Sequence, residues 1–211
     1  MRIALIHAVR VAMQPVEDAF LRHWPEAERI NLLDDALSVD RDQAGALTAE
    51  LSGRISALAN YAVSAGASGI LYTCSAFGAA IEAVKERLRM PVLKPNEAML
   101  AEAATLGRRL GLLATFPSSI ESMAKELKQL APHIELETAC VPQALAALQA
   151  GDAAQHDALL AAVAPKLSGC DALMLAQFST ARARDAVARM VRCPVLTSPD
   201  SAVLAMRKRL S

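Results

Sequence analysis

The chain has 211 residues, 54% of them apolar and 21% charged, which is enough to enclose one large core or two small ones and too hydrophobic for a disordered segment. Twenty-two basic side chains balance twenty-two acidic ones with no block of five like charges, and only seven aromatics occur. Nucleic acid and anionic membrane are therefore excluded as expected partners, since there is neither a field to attract a polyanion nor a platform on which bases could stack.

In chain order, IALIHA (3–8) reads as a strand and is followed by helical periodicity over 14–24; ERINLL (28–33) precedes a long helix over 43–65. GILYTC (69–74) leads into a helix over 77–89, and PVLKPN (91–96) into one over 97–109. LGLLAT (110–115) then precedes a helix over 118–131, and IELETACV (134–141) precedes helices over 142–149 and 152–167. ALMLAQ (172–177) is followed by a helix over 180–192, and PVLTSP (194–199) by one over 200–210. Strands that are apolar on both faces and alternate with helices belong to parallel sheets covered on each side, so the expected class is α/β. Residues 55–81 carry no charge, but Ser56, Asn60, Gly66 and Gly69 break them into helix, turn and strand rather than a membrane span.

The chain also aligns with itself. AGASGILYTC from Ala65 lies on GCDALMLAQF from Gly169 at an offset of 104, PVLKPNEAMLAEA from Pro91 lies on PVLTSPDSAVLAM from Pro194 at 103, and RIALIHA from Arg2 matches RLGLLAT from Arg109. The expected architecture is two pseudo-twofold lobes, 1–96 with the helix 200–211, and 97–199, each a four-stranded parallel sheet flanked by helices. Ligands of such sheets sit at the carboxyl ends of the strands, which makes His7, Cys74, Asn96, Thr115, Phe178 and Pro199 the positions to inspect.

Cys74 ends GILYTC immediately before a helical run, where the helix amino terminus is expected to lower the thiol pKa. Thr73 and Ser75 bracket it with hydroxyls, and amide N–H groups there could hold a carboxylate or enolate oxygen. The second-lobe stretch Gln177-Phe178-Ser179-Thr180 has the same polar character, and Thr115-Phe116-Pro117-Ser118-Ser119 could cap the following helix while turning N–H groups toward an anion. Cys140, Cys170 and Cys193 read as small buried apolar residues. Successive cysteines lie 66, 30 and 23 residues apart, which fits neither a metal motif nor a disulfide scaffold. With no secretory pattern in MRIALIHAVR, the expected location is cytoplasmic.

Together, the duplicated lobes, the strand-end Cys74 followed by Ser75, the LLAT segment and the two PVL runs resemble the aspartate/glutamate/hydantoin racemase superfamily over essentially the whole chain. The resemblance implies a cofactor-independent isomerase with no metal, acting on a small carboxylate-bearing substrate by proton transfer alpha to its carbonyl group, with a homo-oligomer left open. Cys74 would be the thiol, and His7 a second proton-transferring group. Thr73, Ser75, Asn96, Thr115, Ser118, Ser119, Phe178, Ser179 and Thr180 would bind the substrate. Members also resemble one another in a second thiol from the other lobe, yet the 104 offset pairs Cys74 with Phe178, which argues against a thiol pair and for one-sided turnover. Glu97 and Asp200 open equivalent helices and could supply acid or base at the edge of the site, while Lys94 reads as a surface lysine. The single thiol leaves epimerisation with a non-thiol base, decarboxylation followed by protonation, and cis-trans isomerisation open, beside a non-catalytic binding protein. No GxGxxG, GxxxxGK[ST], GxSxG or HExxH occurs, so nucleotide, serine-hydrolase and zinc-protease chemistry lack their signatures.

Overall fold

The computed structural model describes residues 1–211 and separates into two compact units, Met1–Pro95 with Ala202–Ser211, and Asn96–Ser201. The first unit contains β1 (Arg2–His7), α1 (Met13–His23), β2 (Glu28–Leu33), α2 (Ala36–Ala44), α3 (Ala49–Ser64), β3 (Gly69–Tyr72), α4 (Gly78–Arg87) and β4 (Val92–Leu93). All four strands are parallel, in the order β2-β1-β3-β4. The inner strands are buried on both faces: Ala4, Ile6, Ile70 and Tyr72 join Ile55 and Ile81 in one core cluster, while Ile3, Leu5 and Leu71 are equally hidden on the other side. The edge strand β2 is only partly buried along its length, as an edge requires.

The second unit contains α5 (Glu97–Leu106), β5 (Arg109–Ala114), α6 (Pro117–Leu130), β6 (Glu135–Cys140), α7 (Pro142–Gln149), α8 (Ala153–Val163), β7 (Ala172–Leu175), α9 (Arg184–Ala188) and β8 (Val195–Thr197). Its sheet is also all parallel, in the order β6-β5-β7-β8, so the two sheets have the same topology. Leu113, Leu173 and Leu175 pack on the α7 and α8 side, and Leu110, Leu112 and Met174 on the α5 and α6 side. The last helix, α10 (Ser198–Leu210), is divided, with Ser198 to Ser201 in the second unit and the remainder in the first.

Three local expectations change. The helix expected over 43–65 begins only at Ala49, where Thr48 starts α3 by accepting the Leu51 N–H at 3.2 Å, and an additional helix, α2, lies before it, ended by Gly45 in the left-handed region (φ 64°). The polar run ALSVDRDQA hides only Leu37, so no apolar stripe announced α2. The helix expected over 180–192 is a tight turn over Phe178–Ala183 followed by the short α9. Asn96, placed with the first lobe by sequence, belongs to the second unit, where Ser198 Oγ–H donates to its Oδ1 at 3.0 Å. No helix is long and apolar enough to cross a membrane.

Candidate active site at the strand ends

Cys74 follows β3 with extended backbone and caps a single tight turn, Ser75–Phe77, that leads into α4. The thiol is half-buried, and with His7, Leu37, Ile55, Tyr72 and Phe77 it lines a small pocket too narrow in this conformation to hold a water molecule. Its pKa moves opposite to the sequence expectation. Burial raises it, and the nearby Asp42 carboxylate pushes the same way, against only the Ala76 backbone N–H that favours thiolate. One N–H at the head of a single turn does not offset desolvation, so the resting group is a thiol.

His7 ends β1 and has no exposed surface. Its ring sits in a chain of bonds whose directions are fixed from one end. Glu17 Oε2 accepts from Arg29 Nε–H at 2.9 Å, and as a carboxylate it can only accept, so Asn31 must turn its Nδ2–H to Glu17 Oε1 at 2.8 Å. That leaves Asn31 Oδ1 facing His7 Nε2 at 2.9 Å, and a carbonyl oxygen requires the hydrogen on Nε2. Desolvation lowers the His7 pKa, so the ring is neutral near pH 7 and Nδ1 accepts the Thr73 Oγ1–H at 2.9 Å. The Ile6 carbonyl, 3.3 Å from the same hydroxyl, takes that hydrogen only when His7 is protonated and Nδ1–H becomes the donor. His7 thus lines the Cys74 pocket with its ring held between Asn31 and Thr73, and the Thr73 hydroxyl is committed to it. Nitrogen-15 NMR should show His7 as the Nε2–H tautomer at pH 7. Because the folded chain takes up this proton less readily than the unfolded one, the His7 contribution to stability is complete above the ordinary imidazole value and is lost as pH falls through the lowered one. The melting temperature should therefore drop between pH 7 and pH 5, and His7→Gln should reduce that slope; an unchanged slope would show that His7 is not the titrating group.

The second unit corrects the repeat alignment by one residue. Ile3 pairs with Gly69 in the first sheet and Leu110 with Ala172 in the second, so the offset from β3 to β7 is 103. The bonds just beyond the strands agree: Thr73 N–H donates to Ile6 O, and Ala176 N–H donates to Leu113 O, each at 3.0 Å. The counterpart of Cys74 is therefore Gln177, not Phe178. Phe178 is buried one step further on, and Gln177 Oε1 accepts from Thr115 N–H at 3.2 Å and Thr115 Oγ1–H at 3.3 Å.

Several expected binding hydroxyls are spent on structure. Thr180 Oγ1 accepts the Gln177 N–H at 3.2 Å while the Gln177 side chain accepts the Thr180 N–H, closing a capping box, and the Thr180 hydroxyl donates to Gln177 O at 2.7 Å. Helix α6 has no side-chain cap: Pro117 takes its first turn, with Ser118 exposed and Ser119 buried inside it, and Thr115 turns to Gln177 instead. Ser75 and Ser179 remain partly exposed beside Cys74 and Gln177. Asp200 accepts from Thr197 Oγ1–H at 2.7 Å, and Lys94 is paired with Glu82 at 2.7 Å, which holds the Glu82 carboxyl below its usual range. Of the other thiols, Cys170 is buried and Cys193 half-buried as small apolar residues would be, but Cys140 is exposed, because it ends the edge strand β6. Sequence reasoning missed Glu17 and Asn31 altogether, and mentioned Gln177 without assigning it a role.

Residues 13–137 match the family described as Asp/Glu/Hydantoin racemase. No curated protein matches the chain by sequence. Among solved structures, a glutamate racemase isoform from Bacillus anthracis is 15% identical with a TM-score of 0.74, covering 99% of this chain and 80% of that one. Allantoin racemase from Klebsiella pneumoniae is 19% identical with a TM-score of 0.74, covering 100% and 87%. A glycine-to-cysteine variant of arylmalonate decarboxylase is 17% identical with a TM-score of 0.68, covering 99% and 92%. At these identities the structural likeness speaks for the fold.

Proposed function

Since the chain belongs to the Asp/Glu/hydantoin racemase family, we propose that it is an isomerase-type enzyme that moves a proton at the carbon alpha to a carboxylate, with Cys74 as its acid. The observation that carries this reading is an asymmetry between equivalent positions: Cys74 at the end of β3, Gln177 at the end of β7. A thiol whose pKa is raised by burial is a proton donor at rest. Its S–H breaks as a C–H bond forms on an enolate carbon, and the thiolate left behind regains its proton from water or from the reverse step. An amide such as Gln177 can neither give nor take that proton. Cys74 therefore serves one face of the enolate: inversion would need the α C–H on the other face to break to a non-thiol base, and without one the centre only exchanges its proton on the Cys74 side.

A second reading is decarboxylation followed by the same protonation. The single strand-end thiol favours it, because a reaction that only adds a proton needs no thiol on the other side. Both readings use Cys74 alike and differ in the source of the enolate. The test is incubation of the protein in D₂O with amino acids, hydantoins and aryl-substituted malonates, followed by NMR at the alpha carbon. Deuterium entering on one face supports the reading, and loss of CO₂ alongside it selects the second. No incorporation with any of these, together with Cys74 left fully alkylatable in their presence, would sink it.

A further inference from the structure

The second unit keeps a hydrogen-bond donor where the first keeps its thiol. Cys74 (φ −126°, ψ 124°) and Gln177 (φ −116°, ψ 155°) share an extended backbone, follow equivalent strands and precede tight turns. The Gln177 amide can face only one way. Thr115 N–H is an obligate donor, so the amide atom it meets at 3.2 Å is the carbonyl oxygen, and Thr115 Oγ1 at 3.3 Å reinforces that choice. The NH₂ group is thereby turned away from Thr115, and it is buried with no hydrogen-bond partner. Two other buried atoms share that condition, Arg41 Nε on α2 and His156 Nε2 on α8, but neither stands at a strand end. Folded chains rarely leave such a donor unused without a reason, and the position equivalent to the reactive thiol supplies one.

We propose that the Gln177 amide is the oxyanion-binding donor of the second unit: its Nε2–H donates to a carboxylate or enolate oxygen of a small anionic ligand and replaces a second thiol with a fixed, uncharged hydrogen-bond donor. The identity of that ligand rests on the carboxylate reading above; the donor itself rests on the Thr115 anchor and the unpartnered NH₂. Because Thr115 fixes the amide before anything binds, its dipole needs no reorganisation when charge develops on the ligand oxygen.

Gln177→Glu separates the two halves of the side chain. It keeps an oxygen to accept from Thr115 and replaces the donor with a second acceptor, which repels an anion. The probe is trifluoroacetate, a carboxylate that stays ionised across the pH range and is followed by fluorine NMR. In the unaltered protein it should shift the Gln177 side-chain amide resonances. In Gln177→Glu the Kd should rise at least tenfold at pH 7 and recover in acid, where a protonated carboxyl can donate again. Amide resonances that stay still at probe concentrations that protect Cys74 from alkylation would overturn the inference and leave the carboxylate reading standing. Shifted amide resonances with Cys74 unprotected would uphold the donor and count against the thiol, and no response from either would remove both. The amide measurement is made on the unaltered chain, so it decides the matter even where the variant folds poorly.

Discussion

Cys74→Ala is expected to remove deuterium incorporation at the alpha carbon, by about 10² to 10⁴-fold if the thiol is the positioned acid. Cys74→Ser should lose nearly as much, since a hydroxyl gives up its proton far less readily than a thiol. Cys140→Ala should change nothing, although Cys140 is the exposed thiol that a reagent meets first. Fast alkylation of Cys140 is thus compatible with the assignment, whereas full activity in Cys74→Ala is not. The register correction sharpens the companion test. Phe178→Cys places a thiol one residue beyond the position equivalent to Cys74 and should leave turnover one-sided. Gln177→Cys places it at the equivalent residue and should introduce racemisation. If Phe178→Cys racemised and Gln177→Cys did not, the 103 offset would be the wrong guide to function. Chiral chromatography of product formed in D₂O reads all of these variants in one assay.

Most of the scaffold was legible because inner parallel strands buried on both faces leave unbroken apolar runs that alternate with helical periodicity, while the partly buried edge strands β2 and β6 carry charges and stand out less. The failures have separate physical causes. Two sheets built from similar aliphatic strands can be slid by one residue with little loss of match, and the 104 offset lays GILYTC on LMLAQF where the sheets pair it with ALMLAQ. The PVL runs from Pro91 and Pro194 already carried the 103 offset, so the signal was present in the next strand along. The chain of bonds behind His7 draws Asn31 from the edge strand β2 and Glu17 from α1, and no local spacing announces contacts that only the strand register creates. The pKa of Cys74 was misjudged for a similar reason. A helix start can be read from residue order, but the desolvation that outweighs it comes from side chains such as Leu37 and Ile55 that are distant in sequence. Thr115 was read as a helix cap because hydroxyls at such positions usually are, and its partner Gln177 lies on another strand end.

Gly107→Ala is expected to destabilise the fold more than any other single added methyl at a glycine, although its backbone (φ 167°) is extended and open to any residue. The constraint is contact. A Cβ built there would lie 2.1 Å from Asp171 Oδ2, 2.2 Å from Asp171 Cβ and 2.3 Å from Asp171 Cγ. The conflict reaches the Asp171 Cβ and cannot be relieved by turning the carboxylate alone. By comparison, the 2.7 Å approach at Gly69 meets Met206 Sδ, toward the free end of a flexible side chain. Asp171 is also held in place, because its Oδ2 accepts the Arg108 N–H at 2.7 Å and the Arg109 N–H at 2.9 Å, and those two donors hold its carboxyl below the usual range. Its own N–H donates to Arg109 O at 2.7 Å, the bond that Ser68 N–H makes to Arg2 O in the first unit. The carboxylate therefore ties the start of β5 to the start of β7, and displacing it opens the sheet at its amino-terminal end, the opposite end of β7 from Gln177. Forced overpacking costs about 1–3 kcal/mol, and in a chain of this size each kcal/mol moves the melting temperature by about 2–4 °C. Gly107→Ala should thus melt lower by several degrees while the surviving folded protein incorporates deuterium as the unaltered chain does. Asp171→Gly, which removes the Cβ together with the carboxylate and its two bonds, should make Gly107→Ala nearly neutral when the two are combined. A double variant whose losses simply add would show that Gly107 is required for another reason.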